Sequence, residues 1–123
     1  MVALEIQPRM LSVLARRARK AGLLGRVELR QAKPEGLGID DLSGQVDFAA
    51  ALHMVHEMPD KASFFSEIWN TLKHGGRILI VEPRGHVSGN QFEQTVAAAE
   101  KIGFKSETVS KKVEAQEALL TKP

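Results

Sequence analysis

Hydrophobic positions along this chain alternate between short unbroken runs and a three-to-four-residue recurrence, which marks out strands and helices in turn. Val2-Ala3-Leu4 is the first run, and it reads as a buried strand with Glu5 at its tip. From Pro8, a residue suited to the first helical position, Met10, Leu11, Leu14, Ala18 and Ala21 recur at helical spacing up to a stop at Gly22. Val27 to Arg30 alternates as a short strand, and a loop-rich connector from Ala32 to Gly44 contains at most one turn near Ile39 to Leu42. Val46 to Leu52 is a continuous run of small apolar residues, the pattern of a strand covered on both faces.

Asp60 is an N-cap for a helix predicted to run to about Lys73. Phe64, Phe65, Ile68 and Leu72 form its apolar stripe, and Gly75-Gly76 is placed at its end. Arg77 to Val81 is the clearest buried strand, ending at Glu82-Pro83. Ser88 with Gln91 has the capping-box spacing for another helix, with Phe92 and Val96 turned inward and Gly103 as its stop. Phe104 to Val109, a polar turn from Lys111 to Glu114, and Glu117 to Thr121 complete the pattern as an antiparallel hairpin.

Strands alternating with helices predict an α/β fold: a Rossmann-like, mainly parallel sheet with helices on both faces and a C-terminal antiparallel hairpin. At 123 residues, with 43% apolar and 26% charged positions, residues 1–123 are expected to form one domain. The lack of cysteine excludes a disulfide scaffold and thiol catalysis. No apolar run is long enough for a membrane span, so a cytoplasmic protein is expected. The net charge of +2 is small, but Arg9, Arg16, Arg17, Arg19, Lys20, Arg26 and Arg30 crowd the first quarter. That block suits a solvated helix face, with nucleic acid as the alternative partner.

Ligands of open α/β sheets bind beyond the carboxyl ends of the strands. Glu5, Gln31-Ala32, Leu52-His53-Met54 and Glu82-Pro83 occupy those positions. A carboxylate such as Glu5 at a strand tip is suited to accept hydrogen bonds from the vicinal hydroxyls of a ribose. His53, His56 and Glu57 lack the H-E-x-x-H spacing and an evident third ligand, so no metal site is expected. His53 is the candidate general base, and Trp69 reads as a packing residue.

VALEIQPRMLSVLARRARKAGL, VDFAAALHMVHEM and FFSEIWNTLKHGGRILIVEP resemble successive blocks of class I S-adenosylmethionine-dependent methyltransferases, in the small-molecule group of the ubiquinone/menaquinone-biosynthesis type. LKHGGRILIVEP is the most specific piece. The resemblance implies S-adenosylmethionine as cofactor and a small-molecule methyl acceptor. It implies that Glu5 holds the ribose, Ile6 and Ala32 border the adenine, Gln31 offers an amide to its amino group, and Leu52 lies by the methionine end. His53 and Glu82 are then the residues expected at the methyl-transfer region.

The family's glycine-rich loop, E/D-x-G-x-G-x-G, has no counterpart in the sequence. The first βα unit is therefore expected to be missing, with weak cofactor binding. Strand edges left open are expected to favour a homo-oligomer or a partner chain. The alternative function is a catalytically inactive domain that dimerises or binds nucleic acid through its basic first helix.

Overall fold

The computed structural model describes residues 1–112 and 114–123, and the chain divides into two compact units, Met1–Gly38 and Ile39–Pro123. The first unit holds strand β1 (Val2–Glu5), helix α1 (Pro8–Lys20), a short 3-10 turn and strand β2 (Glu28–Gln31). β1 and β2 pair in parallel, with Val2 opposite Glu28 and Glu5 opposite Gln31. A parallel pair needs a crossover, and α1 supplies it. α1 starts at Pro8 as expected, without a side-chain cap from Gln7. It ends at Gly22, whose φ of 73° lets Gly22 N–H reach Arg19 O and Leu23 N–H reach Ala18 O. These two bonds form a Schellman motif.

The second unit contains β3 (Val46–Leu52), α2 (Lys61–Thr71), β4 (Leu72–Pro83), α3 (Gly89–Ile102), β5 (Lys105–Lys111) and β6 (Ala115–Thr121). Its four strands lie in the order β3-β4-β6-β5. β3 and β4 are parallel, while β6 is antiparallel to both β4 and β5. The α/β architecture and the closing antiparallel hairpin are thus as the hydrophobic pattern predicts. The turn expected from Lys111 to Glu114 includes Val113, which lies outside the described residues.

Alternate residues of the two central strands are buried: Ile78, Ile80 and Glu82 on β4, and Gln116, Ala118 and Leu120 on β6, continued by Lys122. α2 and α3 pack against each other and against these strands. Phe64, Phe65 and Ile68 from α2 and Phe92, Val96 and Ala99 from α3 are all buried. Phe104 extends the aromatic cluster, meeting Phe65 and Trp69 edge to face. The opposite parity is more open, with Phe48 and Leu52 of β3 more than half exposed.

The end of α2 differs from the sequence expectation. The helix stops at Thr71, Leu72 is extended (φ −74°, ψ 141°), and Gly75-Gly76 lie inside β4 rather than in a helix cap. A distant residue accounts for this. Lys122 Nζ donates to the carbonyls of Trp69 (2.8 Å) and Leu72 (2.9 Å), while its ammonium lies 5.0 Å from the Trp69 ring centroid. Backbone bonds from Gly75 N–H to Lys122 O and from Lys122 N–H to Gly76 O tie the same region to the end of β6. The helix therefore closes on an ammonium near its C-terminus, a favourable position for positive charge.

Candidate functional site

The candidate residues at strand ends separate by unit. In the first unit, β1 turns into α1 through Ile6 and Gln7, and Glu5 organises that turn. Its Oε1 accepts from the N–H groups of Ile6 (3.0 Å) and Gln7 (3.2 Å). Its Oε2 has no partner among the described residues, so half of the carboxylate can still accept hydrogen bonds. Gln31, opposite Glu5 at the end of β2, donates Nε2 to Ile6 O at 3.2 Å. Ala32 N–H reaches Glu5 O at 2.9 Å, and the Ala32 side chain is buried. The structure therefore brings Glu5, Ile6, Gln31 and Ala32 together.

In the second unit, β3 and β4 run in register to Leu52 opposite Val81. The loops that follow both strands thus leave from neighbouring points. Leu52 and His53 are exposed. His53 has a φ of 55°, rare for a residue with a side chain, and its N–H is held by Val81 O at 2.7 Å. Such outliers cluster at functional sites.

Glu82 follows the parity of Ile78 and Ile80 and is only 1% exposed. A buried carboxylate requires hydrogen-bond donors, and the loop after β3 supplies them. Val55 N–H reaches Oε1 at 3.2 Å, His56 N–H reaches Oε2 at 3.2 Å, and His56 Nδ1 lies 2.7 Å from Oε2. His53 is not among these partners. On its outer side, His56 Nε2 lies 4.0 Å from Glu57 Oε1, and the His86 ring is stacked at 6.2 Å and 10° between planes.

His56 is thus the imidazole that the fold joins to Glu82, although sequence reasoning favoured His53. The usable signal was parity: an acid on the buried face of a strand needs donors from the adjacent loop. His86 had no comparable signal in its Gly- and Ser-containing loop. Among the described residues no group of three or more His, Asp or Glu side chains is arranged to hold a metal ion. No helix among them is long and apolar enough to cross a membrane.

Comparison with known proteins bears on the family and the fold. The family described as "Methyltransferase domain" matches residues 1–80. The ubiquinone/menaquinone biosynthesis C-methyltransferase UbiE of Sinorhizobium fredii is 35% identical over 79 residues, covering 64% of this chain. The matched stretch spans only 30% of that relative's length. Among solved structures, a SAM-dependent methyltransferase from Aquifex aeolicus superposes with a TM-score of 0.83 at 15% identity, covering 99% of this chain and 68% of its own. A geranyl diphosphate methyltransferase in complex with SAM gives 0.77 at 14% identity, covering 99% of this chain and 68% of its own. At these identities the structural likeness speaks for the fold alone.

Proposed function

The chain belongs to the methyltransferase domain family, and from that premise we propose that it serves methyl transfer from S-adenosylmethionine to a small-molecule acceptor. The observation that carries this reading is the half-free Glu5 carboxylate at the end of β1. One oxygen is fixed by two backbone N–H groups, which orients the other to accept from vicinal ribose hydroxyls. Ile6, Gln31 and Ala32 would flank the adenine. The bound cofactor would supply the electrophilic methyl group. His53 and Glu82 are the residues proposed for the acceptor side, His53 by its exposed side chain and Glu82 through the loop it organises. Transfer from a sulfonium depends mainly on in-line positioning, so a rigid loop at this point is itself useful.

Isothermal titration with S-adenosylmethionine tests the reading. Saturable binding that falls at least about tenfold in Glu5→Ala is expected, the size of a lost charge-assisted hydrogen bond. Absence of saturable binding, or equal binding by the variant, would rule out this role for Glu5.

A second reading concerns partners and rests on Phe48 and Leu52, which are 51% and 58% exposed on β3. β3 has β4 as its only strand neighbour among the described residues. An apolar strand edge invites pairing, and the proposed occupant is a second copy of this chain. Light scattering behind size exclusion should report a dimer that weakens in Phe48→Lys; a monomer at every concentration would exclude it. A salt-sensitive complex with nucleic acid would instead favour the basic face of α1.

A further inference from the structure

The Glu82–His56 pair supports an inference that goes beyond a role for the strand ends in holding a cofactor. With backbone N–H groups on both carboxylate oxygens, Glu82 acts as acceptor, so the proton in its 2.7 Å contact with His56 belongs to Nδ1. In a neutral imidazole that leaves the lone pair on Nε2. The backbone N–H of the same residue also binds Glu82, so ring and main chain are fixed by one buried group. His86, from the loop after β4, lies along one face of the ring. Nε2 itself is on the side away from Glu82, 4.0 Å from the exposed Glu57 carboxylate, in a side chain 27% exposed. A ring with one fixed tautomer and one outward lone pair, at the carboxyl ends of two parallel strands, is built to accept a proton.

We propose that His56 Nε2 is the proton acceptor of this strand-end site, with Glu82 as its positioning residue, for a small molecule presenting an acidic O–H or N–H. The proton passes from the ligand oxygen or nitrogen to Nε2, and its bonding pair remains on the ligand atom as a stronger nucleophile. Nδ1–H stays in place, and the Glu82 carboxylate faces the imidazolium that results. Only the identification of this ligand as the methyl acceptor rests on the function proposed above.

Nitrogen-15 spectra of the imidazoles in the full chain test the tautomer, with His56 assigned by its loss in His56→Gln. At a pH where the ring carries a single proton, the expected result is that proton on Nδ1 and none on Nε2. A ring protonated mainly on Nε2, or averaging between the two forms, overturns the proposal. Glu82→Gln should erase the preference, and retention of the Nδ1–H form in a folded variant would remove Glu82 from its role. If that variant does not fold, the wild-type spectrum still decides the tautomer.

Catechol, which carries two acidic hydroxyls, probes the ligand class. Saturable shifts of the His56 ring signals, with those of exposed His74 unmoved, support it, with affinity about tenfold weaker in His56→Gln. A silent His56 ring, or equal shifts at His74, overturns the ligand assignment. Titration with S-adenosylmethionine remains a separate measurement, so failure of cofactor binding is distinguishable from failure at His56.

Discussion

Two buried ionic side chains show how much single residues matter here. Lys122 is 8% exposed and satisfies the carbonyls of Trp69 and Leu72 at the end of α2. Lys122→Met keeps most of the stem but leaves both carbonyls without that donor. A loss of about 2–3 kcal/mol is expected, the cost of removing charged hydrogen bonds from a buried site, read by urea denaturation. Gly103 presents a different constraint. Its φ is 132°, and a Cβ there would come within 2.8 Å of the Trp69 ring. Gly103→Ala should therefore destabilise by about 2 kcal/mol or more, combining backbone strain with displacement of the indole. Neither role was legible locally: Lys122 sits in a polar tail in the sequence, and Trp69 shows only helical spacing. Glu82 was legible in part, because its parity with Ile78 and Ile80 places it on the buried face, whereas its partner His56 is set by a loop whose path no period encodes.

At the scale of elements, starts and glycine stops were readable because their chemistry is local. Ser88 and Gln91 form the expected capping box, with Gln91 N–H on Ser88 Oγ at 3.1 Å and Ser88 N–H on Gln91 Oε1 at 2.8 Å. Ser88→Ala should cost about 1 kcal/mol, measurable as a lower urea midpoint. Asp60 caps α2 through Ser63, whose backbone N–H and hydroxyl lie 3.1 and 3.0 Å from its carboxylate. The backbone N–H of Ser63, and then its hydroxyl, hold the Asp60 carboxyl below its ordinary range. A lowered value means the folded state resists protonation. The contribution is therefore full above the ordinary range and fades as pH falls through the folded-state value. Asn caps a helix without titrating, so the stability of wild type relative to Asp60→Asn should decline between about pH 6 and about pH 3. Thermal melts across that interval would show it, and a constant difference would exclude it. The C-terminus of α2 escaped sequence reasoning because its terminator lies fifty positions from Leu72.

The whole molecule contains two compact units of unequal size. The first has one helix and a two-stranded sheet, and a pair of strands alone is marginal in water. The second has four strands and two helices and contains the sole tryptophan, Trp69. Fluorescence therefore reports the second unit, while far-UV circular dichroism also reports α1. The dichroic signal is expected to begin falling at lower urea than the fluorescence. Coincident transitions would instead show that the two units unfold as one. The alternation of strands and helices, and hence the fold class, followed from hydrophobic period alone. The partition into separate sheets did not, because period marks out strands and helices but not which strands share hydrogen bonds, and for the same reason the cover expected on both faces of β3 is absent at Phe48 and Leu52.

The strand order β3-β4-β6-β5 also has a consequence for biosynthesis. β6 is translated after both of its neighbours, yet it lies between them. Until it emerges, β4 and β5 must each wait with an unfilled edge, and α2 must wait fifty codons beyond Leu72 for Lys122. At ordinary elongation speeds that interval is about 3–10 seconds, much longer than a helix or hairpin needs to form. The nascent second unit therefore keeps open strand edges until β6 has been made, and slow codons within β6 would prolong that exposure.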